Sequence, residues 1–367
     1  MSFDTVPHQR LISKLKGYGI TGNLLSWISD FLYQRTQHVN VNGNASPKVT
    51  VTSGVPQGSV LGPTLFVYYI NDLPDYATCD IKIFADDTKI YSTIENKDKY
   101  DNLQLCINKL VKWTETWLLN FNSDKCKVLH IGKNNPHYEY HINQAGVVGK
   151  LDCTIAEKDL GVIVDPDLSF ETHIHKTICK AHKISGMLFR FITNKSHNIM
   201  VPLYKALVRP ILEYGNSVWC PNLRKHVKAI EDVQRRFTKR IVGADKLSYE
   251  ERLMKFNLPS LEYRRLRGDL IEMYKIFNNK YDPRTVSNLF TLHESSTTRG
   301  HNFKIKKRLT STKQYQCFFT NRVINFWNNL DTETANASSI NVFKNRLDKK
   351  FKGHMYNTDF HVISSIH

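Results

Sequence analysis

An α+β fold is predicted for this chain, and three observations carry the prediction. Ile81–Tyr91, IKIFADDTKIY, alternates β-branched and aromatic residues up to two adjacent acids, Asp86 and Asp87, then resumes, the pattern of strand, tight turn and strand. Two stretches near the N-terminus and a third over Lys97–Leu118 carry apolar residues at helical spacing. From Phe170 onward the periodicity is helical, so a strand-bearing part comes first and a helical part follows.

In chain order, His8–Tyr18 carries Leu11, Ile12 and Leu15, and Asn23–Arg35 carries Leu24, Leu25, Ile28 and Leu32, at helix-face intervals. Both are expected as helices packed beneath an antiparallel sheet. His38–Val41 and Val49–Val51 alternate around Asn42-Gly43, a strong hairpin signal. Ser53–Pro63, SGVPQGSVLGP, then reads as a loop whose glycines let a ligand approach the backbone, with an apolar helix over Leu61–Leu73 leaving it. Lys97–Leu118 repeats Leu103, Ile107, Leu110, Val111, Trp113 and Trp117, a long core helix in which the two tryptophans read as packing.

Helices are expected over 171–194, 198–216, 223–242, 247–257 and 260–278. In the third, Ile230, Val233, Phe237 and Ile241 form one stripe while Arg235, Arg236, Lys239 and Arg240 lie off it. A basic amphipathic helix serves a membrane surface or a phosphate backbone, and a solvated face is the plain alternative. Further on, Thr298–Arg308 is strongly basic, Phe318–Leu330 carries aromatics at helical spacing, and the tail after Lys352 reads as loose.

The 367 residues, 41% hydrophobic, suffice for two or three units with cores of their own. Charge is unevenly spread: residues 1–170 hold sixteen basic and eighteen acidic residues, net −2, and 171–367 hold thirty-five and sixteen, net +19. The second half is therefore the part suited to gripping a polyanion, in preference to a merely soluble basic surface. Seven cysteines, Cys79, Cys106, Cys126, Cys153, Cys179, Cys220 and Cys317, form no Cys-x-x-Cys pair, and without a signal peptide they are expected as free thiols in a reducing compartment. The longest apolar run, Leu65–Ile70, is too short to cross a bilayer, so no membrane partner is expected. His175, Cys179 and His182 fall at i, i+4 and i+7, a spacing that suits zinc, but only His173 is at hand as a fourth ligand and zinc is not expected.

Asp86 and Asp87 carry the chemistry. Two like charges at one bend repel, and a shared divalent cation relieves the repulsion; carboxylate oxygens favour Mg²⁺ or Mn²⁺. The alternative is an ordinary turn, where aspartate is common for its own backbone hydrogen bonds.

SGVPQGSVLGPTLFVYYINDLP followed by FADDTKIY resembles the palm of reverse transcriptases of non-LTR retrotransposons, the jockey-like group in particular. The resemblance continues through WLLNFNSDKCKVLHIG, KDLGVIVDPDLSFETHI, LYKALVRPILEYGNSVWCP, VQRRFTKRIVG, LSYEERLMKFNLPSLEYRRLRGDLIEMYKI and RVINFWNNL. It implies a polymerase palm with partial fingers over 1–167, a helical thumb-like domain over 168–280, and a basic C-terminal region over 281–367 with a partly disordered tail. It also implies attack of a primer 3′-hydroxyl on the α-phosphate of a deoxynucleoside triphosphate. RNA template and DNA primer or target would be the partners, and Mg²⁺ or Mn²⁺ the cofactor.

Carried over residue by residue, the resemblance makes Asp86 the metal ligand, with Asp87 beside it in a supporting role. Pro56, Gln57 and Gly58 contact nucleotide and template, and Phe84 and Ala85 of the same motif belong to the substrate site. Lys125 matches a lysine suited to the leaving pyrophosphate, with an exposed turn lysine as the other reading. Phe3 lies beneath the incoming sugar, or is a helix-start hydrophobe. Asp159–Val164 resembles the segment on which the primer rests, and Arg235, Arg236, Lys239 and Arg240 grip the backbone. The family's first catalytic aspartate would fall before Met1, since the Phe-Asp that follows it is Phe3-Asp4. Little or no polymerase activity is expected of the chain alone, and a nucleic-acid-binding remnant or domesticated protein without catalysis is the alternative. An intracellular, nuclear location follows from the family, because target-primed copying happens at chromosomes.

Overall fold

The structure is a computed structural model and describes residues 2–286, 289–293, 300–310 and 312–357. The chain divides into two compact units, Met1–Ile155 and Ala156–His367.

The first unit opens with α1 (His8–Gly17) and α2 (Gly22–Leu32), which bury Leu11, Leu15, Ile28 and Leu32 as their spacing requires. Asn42 and Gly43, both at positive φ, close the hairpin of β2 (Asn40–Val41) and β3 (Asn44–Ala45). Outside it, β1 (Thr36–Gln37) pairs with β4 (Val49–Thr50). Helix α3 (Leu61–Ile70) follows the glycine loop, and β5 (Asp80–Phe84) pairs antiparallel with β6 (Asp87–Tyr91). Helix α4 (Lys97–Trp117) begins on an Asn96 side chain that accepts from the Lys99 amide and stops at Leu118 in the left-handed region. Leu11, Leu15, Leu65, Phe66, Tyr69, Leu110 and Trp113 form its main core. Ile107, Val111, Tyr140 and Ile142 form a second cluster beneath the β8 (His141–Gln144) and β9 (Val147–Lys150) hairpin.

The mixed class holds, but the strands do not merge into one antiparallel sheet. Among the described residues they form six two-stranded ladders, five antiparallel and one parallel, the last between β7 (Lys127–Leu129) and β10 (Asp152–Thr154). A second correction concerns the thiols. Cys79, just before β5, and Cys106 of α4 are joined as a disulfide with Cα atoms 6.2 Å apart, while Cys126, Cys153, Cys179, Cys220 and Cys317 are free. Packing of α4 against the foot of the hairpin brings the pair together, and their separation of 27 residues gives no local signal.

The second unit begins with the hairpin of β11 (Glu157–Asp159) and β12 (Val162–Val164), whose Val162 joins its core. Helix α5 (Glu171–Phe191) follows. The single helix expected over 198–216 is broken into α6 (His197–Leu203), a π turn over Tyr204–Val208, α7 (Arg209–Glu213) and α8 (Asn216–Trp219). Pro210 has no N–H for the Ala206 carbonyl, and the wider turn absorbs that missing bond. Helix α9 (Arg224–Lys239) buries Ile230, Val233 and Phe237, with Ile241 just beyond it.

Helices α10 (Tyr249–Phe256) and α11 (Leu261–Phe277) complete the bundle, and α10 starts on a Ser248–Glu251 capping box. Glu231 of α9 is buried. It accepts from the Tyr249 hydroxyl at 2.5 Å and the Leu261 amide at 2.9 Å, tying three helices together while burial pushes its carboxyl up.

Helix α11 borders two cores. Leu261 belongs to the one built on α5 and α9; Tyr263, Leu270, Met273 and Tyr274 belong to another with Trp327, Phe343 and Leu347 from the C-terminal region. Arg322 makes a bidentate pair with buried Asp269, at 2.8 and 3.0 Å, and also donates to the Asn216, Ser217 and Cys317 carbonyls. The chain stays docked to the end of this stretch, where the Ser260 amide donates to the Met355 carbonyl at 2.8 Å. Residues 358–367 of the expected tail, and Thr298 and Arg299 of the basic stretch, lie outside the described residues.

Candidate active site

The β5–β6 register pairs Ile81 with Ile90, Ile83 with Thr88 and Phe84 with Asp87, so the turn is made of Ala85 and Asp86 alone. Ile81, Ile83 and Ile90 pack into the main core of the first unit and fix the hairpin by its foot. Alternation then sends Lys82 and Phe84 to the other face, and Phe84 is 64% exposed. Asp86 and Asp87 are both exposed at the tip. Ala85 takes a φ of 51°, a conformation that costs a residue with a Cβ roughly 1–2 kcal/mol.

The glycine loop is held by the N-terminal segment. The Gly54 amide donates to the Val6 carbonyl and the Val55 amide to the Phe3 carbonyl, each at 2.8 Å, and the Ser53 hydroxyl donates to the Asp4 carbonyl at 3.0 Å. Gly54 is required here: a Cβ would stand 2.7 Å from the Asp4 Cα, and φ is 93°. At the other end a Cβ on Gly62 would meet the Pro56 carbonyl, while Ser59 donates to that carbonyl at 2.8 Å and accepts from the Gly62 amide at 2.9 Å. The loop is thus a pinned structure leading directly into α3.

Several predicted site residues meet here. The Gln57 amide donates to the Asp4 carboxylate oxygens at 3.3 and 3.4 Å. Phe3 stacks on Phe66 with centroids 4.3 Å apart. Phe3, Val55, Phe66 and the inward isoleucines of the acid-bearing hairpin share one core, so loop and hairpin have a common foundation. Pro56 is half-buried, and Gly58 is exposed at a φ of 80°. Lys125 sits exposed on a 3₁₀ turn, Ser123–Lys125, where its backbone amide is held by the Asn122 side chain at 3.3 Å.

Sequence reasoning missed Lys14. It is buried on α1 between Leu11 and Leu15, pairs with Asp72 and donates to the Tyr69 carbonyl at 2.6 Å. Its ammonium lies 3.9 Å from the Trp117 ring centroid and 4.6 Å from that of Trp113, whose indole N–H donates to Asp72 at 3.1 Å. Burial lowers the Lys14 pKa and Asp72 partly offsets it. The one available signal was a lysine on the apolar face of α1, facing a helix with two tryptophans one turn apart.

Among the described residues no group of three or more His, Cys, Asp or Glu is arranged to hold a metal. Asp86 and Asp87 therefore offer an adjacent pair of hard oxygen donors. That pair fits a Mg²⁺ or Mn²⁺ ion that takes its remaining ligands from water and phosphate, and does not fit a closed tetrahedral zinc site. His173 is turned inward, accepting from the Ile163 amide at 3.2 Å with its ring 5.0 Å from that of Trp219.

The four cations at the end of α9, Arg240 being its C-cap residue, divide. Arg235 pairs with Asp232 at 2.7 Å and lies over the Tyr249 ring. Arg236, Lys239 and Arg240 are exposed and line a groove against α5. Among the described residues no helix is long and apolar enough to cross a membrane.

Residues 1–164 match the family described as reverse transcriptase (RNA-dependent DNA polymerase). The chain is similar to the RNA-directed DNA polymerase from mobile element jockey of Drosophila melanogaster, 30% identical over 258 residues, covering 66% of this chain and 27% of that protein. Its Drosophila funebris counterpart is 30% identical over 264 residues with the same coverage, and the "Probable RNA-directed DNA polymerase from transposon X-element" of Drosophila melanogaster is 26% identical over 259. The chain thus spans about a quarter of the length of these relatives.

Proposed function

We propose that this chain belongs to the reverse transcriptases of jockey-like retrotransposons, on the match of its first 164 residues to the reverse transcriptase family and its likeness to the jockey polymerases, and that it performs RNA-directed DNA synthesis on a primer. The observation that carries the reading is the adjacent pair Asp86 and Asp87, exposed at a hairpin tip whose foot shares a core with the Ser53–Pro63 loop.

Asp86 would hold Mg²⁺ or Mn²⁺ with Asp87 beside it, and the chemistry supplied there would be activation of the primer hydroxyl and neutralisation of phosphate charge. The pinned Pro56-Gln57-Gly58 backbone lies along the nucleotide, and Gln57 supplies amide donors and an acceptor to it. Phe84 and Ala85 shape the floor beside the acids, and Phe3, backed by Phe66, borders the sugar. Lys125 meets the leaving pyrophosphate. Residues 1–167 act as palm with part of the fingers, 168–280 as a thumb-like bundle, and 281–367 as a basic region that covers one face of α11. RNA template, DNA primer and deoxynucleoside triphosphates are the partners, and the nucleus is the place of action.

The test is primer extension on a homopolymer RNA template, with the 367-residue chain joined behind the preceding segment of the jockey polymerase. Incorporation abolished by Asp86→Ala and strongly reduced by Asp87→Ala is expected. Incorporation that survives both substitutions overturns the assignment. A non-catalytic binding protein is the second reading, favoured by the net +19 of residues 171–367, and it predicts strand binding with no incorporation in the joined chain.

A further inference from the structure

We propose that the groove between α5 and α9 seats one backbone phosphate of a nucleic-acid strand, gripped by Arg236, Lys239 and Arg240 over a floor of Ser185 and Gly186. The inference rests on the reading of the chain as a nucleic-acid polymerase and deepens the backbone grip expected of these cations, narrowing four of them to one phosphate seat that leaves Arg235 out.

The groove has a volume of about 340 Å³ and is lined by His182, Ser185 and Gly186 of α5 and by the three cations at the end of α9. No carboxylate lines it, and among the described residues none pairs with Arg236, Lys239 or Arg240. Positions 236, 239 and 240 fall on one helical face, so the three charges converge. Arg235, adjacent in sequence, is engaged by Asp232 and Tyr249 and does not line the groove. Arg240 is held by stacking on Phe189, 3.9 Å from its ring centroid, which limits the entropy lost when it meets a ligand.

Cations in the last turn of a helix also complement its dipole, and that alone would explain their presence. It does not explain the floor. Ser185 is 6% exposed and lines the groove, where its hydroxyl can donate to a seated ligand. Beside it, a Cβ added to Gly186 would meet nothing within 4 Å. A glycine inside a helix costs about 1 kcal/mol relative to alanine, so the space above it is kept open against helix propensity. A hydroxyl donor, an open floor and three cations with no carboxylate lining the groove beside them together suit a small multivalent anion.

The source of that anion follows from the shape. All three cations are exposed, so the groove is open along its basic lip. A free nucleotide or pyrophosphate would seek a pocket that covers most of its surface. A strand needs only a place where one phosphate dips in as the chain runs past.

The experiment measures binding of a fluorescent 20-nucleotide single strand to the full chain as salt is varied. Arg236→Ala, Lys239→Ala and Arg240→Ala are each expected to weaken binding several-fold and to reduce the log–log salt slope by about 0.7, one phosphate contact on a single strand. Gly186→Glu, which sends a carboxylate into the groove and leaves every cation in place, is expected to weaken binding at least tenfold. Gly186→Ala controls for folding and should bind within twofold with an unchanged or raised melting temperature. Lys228→Ala removes an exposed charge of α9 outside the groove. If it weakens binding as much as Arg236→Ala, or if Gly186→Glu binds like the parent, the basic face is diffuse and the seat does not exist. Displacement of the strand by millimolar inorganic phosphate at constant ionic strength, absent in Arg236→Ala, would reassign the groove to free phosphate and overturn the proposal. Asp86→Ala does not touch the groove, so the binding result stands whatever primer extension reports about the acids.

Discussion

Phe84 and Asp87 face each other across the β5–β6 ladder, and that pairing leaves only Ala85 and Asp86 to reverse the chain. The acids are thereby held at a fixed tip on a short turn, with Ala85 in the left-handed region at a φ of 51°. A β-branched residue tolerates that region worse than alanine. Ala85→Val should destabilise the chain by roughly 1–2 kcal/mol in urea denaturation, whereas Ala85→Gly should not destabilise it. Equal stability of the valine variant would mean that the turn can relax.

Gly54 carries the contact between the loop and the N-terminal segment. Gly54→Ala sets a methyl group against the Asp4 backbone at a positive φ, so the two segments must part. A loss of about 2 kcal/mol or more is expected, combining overpacking with the left-handed penalty. Hydrogen exchange should show it directly, through lost protection of the Gly54 and Val55 amides that bond to Val6 and Phe3.

Lys14 is a buried charge with one carboxylate partner, and removing it strands that partner. Lys14→Met should destabilise the first unit by roughly 2–3 kcal/mol, below the full value for a buried pair because Asp72 keeps the Trp113 N–H and some solvent. Lys14→Met combined with Asp72→Leu should recover much of the loss. A double-mutant cycle in denaturant measures the coupling, and additive losses would deny it.

Acid should weaken the second unit through Asp331. Burial alone would raise this carboxyl, but the Thr334 amide and hydroxyl and Lys350 outweigh it and hold the group at about 2. Because the folded value lies below the unfolded one, Asp331 contributes stability above the ordinary carboxylate value of 3.8 and loses it as pH falls through about 2. Asp331→Asn keeps a capping residue at this site and should flatten the melting temperature against pH in that window. An unchanged acid limb would exclude Asp331 as its source.

Long periodic segments were legible in the sequence: α4, α5, α9, α10 and α11 lie close to their expected bounds because their apolar spacing persists over several turns. The helix over 198–216 was misread because periodicity does not register the missing N–H of Pro210. Asp86 and Asp87 were legible because they are neighbours in sequence on a patterned hairpin. The Asp4–Gln57 bond, the Phe3–Phe66 stack and the Cys79–Cys106 bridge were not, since each joins residues far apart through tertiary packing. Lys14 was hidden because apolar spacing passes over charged residues, and Ser185 and Gly186 because small residues inside a helix give almost no pattern.

Helix α11 lies between the core of α5 and α9 and that of Trp327 and Phe343, which makes it a party wall. Proteolysis or truncation that strips the last few dozen residues would bare Tyr263, Leu270, Met273 and Tyr274 to water. The chain's final quarter is therefore a structural partner of the helices before it, and shortening it to make a smaller soluble piece would yield an aggregating one.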